Sequence, residues 1–205
     1  TEEPIYSDTV IFDGLFNPTA VEFADDGRVF VAEKNGIVKV FDSLNDTSAD
    51  VFADLRTNVH NHWDRGLLGM ALHPDFPTTP ELYVLYTYDA PLTDTSLPPG
   101  SQDRPPAPYW GSPGVSGDPG PGTTGDGPSV SARLWRLTFG PCNSWNGVEN
   151  VLIHDCGQQY PSHSIGDLTF GADGALYASA GEGESFSTED FGQSDGKLGS
   201  TALND

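Results

Sequence analysis

Two clusters of side chains have the residue types for chemistry. In Ser162-His163-Ser164, an imidazole lies between two hydroxyls. A histidine with an unperturbed pKa of about 6.5 can take a proton at neutral pH. No metal partner stands beside His163 in sequence, and neither Ser162 nor Ser164 lies in a Gly-x-Ser-x-Gly pattern, so the two serines do not indicate a hydrolase. Taken by itself, His163 is either a proton acceptor or a hydrogen-bonded structural histidine. The second cluster is His60-Asn61-His62-Trp63-Asp64. On a strand, residues i, i+2 and i+4 face the same way, so His60, His62 and Asp64 would converge as a transition-metal site requires. In a loop the same residues are a solvated polar connection.

The elements that must position these groups are short strands. Ala20-Val21-Glu22-Phe23, a turn at Asp26-Gly27, Val29-Phe30-Val31-Ala32, a turn at Asn35-Gly36, and Ile37 to Phe41 form a meander, with Val51 to Leu55 as its fourth strand. Val10-Ile11-Phe12 reads as a further strand ahead of it, and residues 1 to 8 as an arm. The pattern restarts at Gly69, 49 residues after Ala20, with Leu82 to Tyr88, Ala132 to Phe139 and Val151 to His154 as its later strands. It restarts again at Gly166, where Leu168 and Phe170 alternate, Asp173-Gly174 turns and Leu176-Tyr177-Ala178 resumes. A unit of about 50 residues with four strands is the size of a propeller blade.

The expected fold is therefore an all-β propeller of four-stranded antiparallel blades. Blade 1 covers about 10–58 and blade 2 about 66–156; blade 3 begins at about 164–183, and 184–205 is irregular. Propellers need about four to eight blades, so the chain reads as the first part of a longer domain. Residues 90–130 are a Pro/Gly-rich insertion with little periodicity, expected as a long surface loop. Its Tyr109-Trp110 is either a sugar-stacking platform or an anchor for the loop.

Cys142 and Cys156, the two cysteines among 205 residues, bracket Val151-Leu152-Ile153 and are expected to form a disulfide, which implies an oxidising, secreted or periplasmic setting; the alternative is two buried free thiols. Lys plus Arg is 9 against 30 for Asp plus Glu, a formal net charge of −21. That charge disfavours nucleic acid and anionic lipid as partners, and no run of 18 apolar residues offers a membrane span. No signal-peptide pattern opens the chain, so its start reads as a mature or trimmed terminus.

Asp64-Arg65-Gly66-Leu67-Leu68-Gly69-Met70-Ala71-Leu72-His73-Pro74-Asp75-Phe76, Leu82 to Thr87, Ser162 to Leu168 and Asp173 to Tyr177, in that order, resemble the glucose/sorbosone dehydrogenase family of soluble quinoproteins. The resemblance implies a six-bladed propeller carrying pyrroloquinoline quinone and calcium (Ca2+). It also implies a sugar substrate, an external electron acceptor and a histidine base, here His163, that takes a hydroxyl proton as hydride passes to the quinone. Three positions depart from the family pattern, one of them Asp167, which stands where the motif commonly carries arginine. Ser162 stands where an aspartate commonly precedes the base, and Asp64 where sugar dehydrogenases carry glutamine. Asp64 is thus a second catalytic candidate, and Ser162, Tyr109 and Trp110 are candidates for contacting substrate or cofactor. A non-catalytic propeller that binds carbohydrate or protein is the rival expectation.

Overall fold

The computed structural model describes residues 8–91, 130–148, 150–158 and 162–181. Ten strands follow in chain order: β1 (Pro18–Phe23), β2 (Val29–Glu33), β3 (Ile37–Phe41), β4 (Asp50–Asp54), β5 (Leu67–Leu72), β6 (Glu81–Pro91), β7 (Val130–Thr138), β8 (Asn150–Gln158), β9 (Ile165–Phe170) and β10 (Leu176–Ala180). They form antiparallel sheets β1-β2-β3-β4 and β5-β6-β7-β8, and a hairpin β9-β10. These are two blades and the opening of a third in a β-propeller. β5 packs against both β1 and β9, so the first strand of each blade lies innermost.

The turns are placed by chemistry read locally. Gly36 has φ 102°, a conformation that disfavours a side chain, and an added Cβ would lie 2.8 Å from Val59 Cγ2. Gly36 N–H donates to Glu33 O, and Gly36 O accepts from Leu55 N–H, both at 2.9 Å, so the β2-β3 turn also anchors the exit of β4.

The core lies between blades. Phe30, Phe52, Val59, Leu67, Met70, Tyr86, Trp135 and Leu137 are fully buried in one cluster, with Phe30 set edge-on to Phe76 at 5.8 Å and to Phe139 at 5.5 Å. Each such side chain contributes roughly 1.5–3 kcal/mol on burial. A smaller cluster, including Leu85, Leu134, Ile165 and Leu168, joins blade 2 to β9. Across the first interface, the Arg28 guanidinium lies 4.7 Å from the Phe76 ring centre and donates to Asn143 Oδ1 at 2.7 Å.

Two expectations are corrected. Val10-Ile11-Phe12 is not a strand: Val10 is 80% exposed, and Phe12 lays its ring on Phe41 at 3.9 Å. Phe12 is covered by that stacking without a sheet partner, while Val10 and Ile11 stay exposed. Cys142 is a free, exposed thiol, so the Cys142–Cys156 disulfide is not formed. Cys156 pairs in register with Ala132, near the start of β7, whereas Cys142 lies past the other end of that strand at Thr138. The six steps along the strand from Ala132 to Thr138 span roughly 20 Å, against about 7 Å for bridgeable Cα atoms.

Candidate active site at one end of the strands

The β2-β3 turn, the β4-β5 connection, the exit of β6 and the approach to β9 meet at one end of the sheets. Hydrogen bonds tie them together. Leu67 N–H donates to Lys34 O at 2.9 Å, His60 N–H to Thr87 O at 2.8 Å and Thr87 N–H to Gly66 O at 3.0 Å. Gly66 is required there because an added Cβ would lie 2.7 Å from Lys34 O. Thr87 Oγ1 lies 3.3 Å from Ser164 Oγ, joining β6 to the approach to β9.

His163 sits on that approach and is exposed, between the buried Ser162 and Ser164. Its φ is 47°, in the left-handed region that few non-glycine residues occupy. Two neighbours hold it there. Its N–H donates to Asp64 Oδ2 at 3.2 Å. Gly181 packs on its carbonyl so closely that a Cβ would overlap it, and Gly181 N–H donates to Ser164 O at 2.6 Å. Such a conformation costs on the order of 1–3 kcal/mol and persists only where the surroundings impose it, commonly at functional sites.

The segment His60 to Asp64 is not extended, so the alternation that would align His60, His62 and Asp64 does not arise. After the isolated bridge between Val59 and Tyr88, the chain turns, with Arg65 N–H donating to His62 O at 2.9 Å. Trp63 and Asp64 occupy the two central positions of this turn; both are exposed, and Trp63 has φ 51°. His60 is fully buried, and neither ring nitrogen has a hydrogen-bond partner among the described residues. Burial, then the charges of Arg65, His62 and Lys34, lowers its pKa to about 3, so it is neutral. Among the described residues, no group of three or more His, Cys, Asp or Glu could hold a metal ion.

Two cations stand behind the turn. Arg65 is 1% exposed, and burial lowers its pKa to about 10. Lys34 donates to Asn61 Oδ1 at 2.6 Å; burial lowers its pKa, and the charge of Asp64 partly offsets this. These two cations share this end with the Asp64 carboxylate, whose charge acts on Lys34.

Of the expected site residues, His163, Ser162 and Asp64 are brought together, while Tyr109 and Trp110 lie outside the described residues. Lys34, Arg65 and Thr87 were not singled out by the sequence reading. Counting strand direction would have found Lys34, since in a meander the β2-β3 turn and the β4-β5 connection share one end.

The Glucose / Sorbosone dehydrogenase family model matches residues 15–202. Among solved structures, an oxidoreductase (glucose dehydrogenase) from Thermus thermophilus is 25% identical with a TM-score of 0.57, over 84% of this chain and 39% of that one. The PQQ-bound form of aldose sugar dehydrogenase from Streptomyces coelicolor shares the fold at a TM-score of 0.60 and 16% identity, over 86% of this chain and 41% of that one. Among curated proteins, mouse Hedgehog-interacting protein is 30% identical over 83 residues, 38% of this chain and 12% of that protein. The chain thus spans well under half the length of these relatives. A match running from the approach to β1 to beyond β10 takes in both complete blades and the His163 loop, and the chain belongs to the glucose/sorbosone dehydrogenase family.

Proposed function

We propose that the full protein oxidises a hydroxyl of an aldose or related sugar, with pyrroloquinoline quinone as its cofactor and an external electron acceptor. The observation that carries this reading is the exposed His163, held in a left-handed conformation by Asp64 and Gly181. A base must be presented to substrate in one geometry, and this loop is built to do so.

When bound, the quinone supplies the two-electron acceptor. Lys34 fits a carboxylate-bearing quinone, because its ammonium is partly desolvated and the surrounding chain offers few other cations. Arg65, buried in the same turn, is a second cationic group there. His163 takes the hydroxyl proton on a ring nitrogen. Asp64 keeps that imidazole in place through the His163 backbone, and Ser162 and Ser164, both buried, fix the loop beneath it. The family resemblance also implies calcium; no described residue is assigned to it and no step depends on it.

The test is turnover by the full-length protein reconstituted with quinone and calcium, followed by dye reduction with a panel of aldoses. His163→Asn suits the left-handed backbone and should leave quinone binding intact while lowering kcat by about two to four orders of magnitude. Absence of turnover with every sugar would sink the reading. The second reading, a non-catalytic binding propeller, is favoured by one observation: Ser162 stands where the family commonly carries an acid beside the base.

A further inference from the structure

We propose that Trp63 is a stacking platform for the apolar face of a pyranose at this site, which rests on the sugar-oxidising reading above. The turn around Trp63 is fixed on both sides. Asn61 is buried and accepts from Lys34 at 2.6 Å, Arg65 is buried, and the Arg65 N–H to His62 O bond of 2.9 Å closes the turn. Within that frame only Trp63 and Asp64 are exposed, and Asp64 is the residue that holds the backbone of His163.

The conformation of Trp63 runs against its type. A residue with φ 51° at the first central position of a tight turn would ordinarily be glycine, asparagine or aspartate. Here a tryptophan occupies it and remains 62% exposed. Its ring meets that of His62 at 6.2 Å, tilted by 45°, which leaves most of the indole uncovered. The backbone strain and the exposed apolar area both oppose folding, so neither is explained by stability. Both are explained if the indole must stand beside the proton acceptor. Indole is a large, rigid surface with low conformational entropy, suited to the C–H face of a pyranose whose hydroxyls point outward. The ligand class is a pyranose with an unbroken axial C–H face, and the ring orients it while Asp64 keeps His163 in place.

The test uses the full-length protein and Trp63→Gly, a substitution that suits the left-handed backbone and should fold at least as well as the parent. The expected result is a KM for the preferred aldose raised about five- to tenfold, kcat changed less than about threefold, and near-parental KM restored by Trp63→Phe. A second readout needs no turnover. The quinone-free protein should show a saturable, sugar-dependent change in tryptophan fluorescence that Trp63→Gly abolishes. Turnover with unchanged KM in Trp63→Gly overturns the platform and leaves the dehydrogenase reading standing. A sugar-dependent fluorescence change that disappears in Trp63→Gly, with no turnover by the parent protein, keeps the platform and overturns the dehydrogenase. Absence of both signals removes both.

Discussion

Asp64 Oδ2 accepts the backbone N–H of His163 at 3.2 Å, across 99 residues of sequence. A carboxylate on the β4-β5 connection thereby sets the loop that presents an imidazole ahead of β9. The contact lies between blades, so the site forms only when β5 and β9 pack side by side.

Asp64 is therefore expected to matter through geometry. Asp64→Asn keeps an oxygen that can accept the His163 N–H and should retain kcat within about tenfold. Asp64→Ala leaves that donor without its acceptor and should lower kcat by roughly a further order of magnitude, with little change in melting temperature because both groups are exposed. Steady-state kinetics of the two variants, alongside melting curves, decide the matter. Equal kcat in both would remove the positioning role.

Folding stability should depend on pH through His60. Burial keeps this imidazole neutral down to about 3, whereas in the unfolded chain it protonates near 6.5. Between these values the unfolded chain binds more protons, so the contribution is complete above about 6.5 and declines as pH falls toward 3. The slope is at most about 1.4 kcal/mol per pH unit. His60→Leu removes two buried ring nitrogens that have no partner among the described residues, and should be neutral to mildly stabilising at pH 7. Thermal melts from pH 7 to pH 5 should be flatter for the variant than for the parent. Parallel profiles would show that His60 does not set this dependence.

Gly69 permits the approach of β5 to β9. A Cβ there would lie 3.1 Å from Leu168 N and 3.2 Å from Asp167 C, both backbone atoms with no side chain to yield. Gly69→Ala should destabilise by about 1–3 kcal/mol, as overpacking does. It should also displace the strand that follows His163, and so reduce kcat. Urea unfolding with an unchanged slope and a lower midpoint is the expected signature.

The thiol of Cys142 should react with an alkylating reagent before any reductant is added, because it is free and exposed. Intact mass gives the answer directly. Cys142→Ser should change stability by no more than about 0.5 kcal/mol, whereas breaking a native disulfide costs about 2–5 kcal/mol.

The strands were legible because their signals are local. Short apolar and aromatic runs in Val29 to Ala32 and Leu82 to Tyr88, with Asp26-Gly27, Asn35-Gly36 and Asp173-Gly174 between strands, give sheet and turn without long-range information. His163 was legible through its motif. The left-handed backbones of His163 and Trp63 were not, since neither residue type signals positive φ as glycine does. Nor was the burial of His60: its neighbours Asn61 and His62 make the segment look solvated, and only the packed blades close over it. The Cys142–Cys156 expectation failed because distance along the chain says nothing of register, and β8 runs back to set Cys156 opposite Ala132.

Pro91 and Val130 are register partners in blade 2, so the ladder itself holds together the two points between which residues 92–129 are strung. Those points stand at the end of β6 that Thr87 links to Ser164. Changing the length of a segment anchored in this way costs little, about 0.6 kcal/mol for each doubling of a flexible connection. The blade thus works as a socket. Segments of other lengths and compositions can be grafted between Pro91 and Val130 while the two complete blades keep their packing.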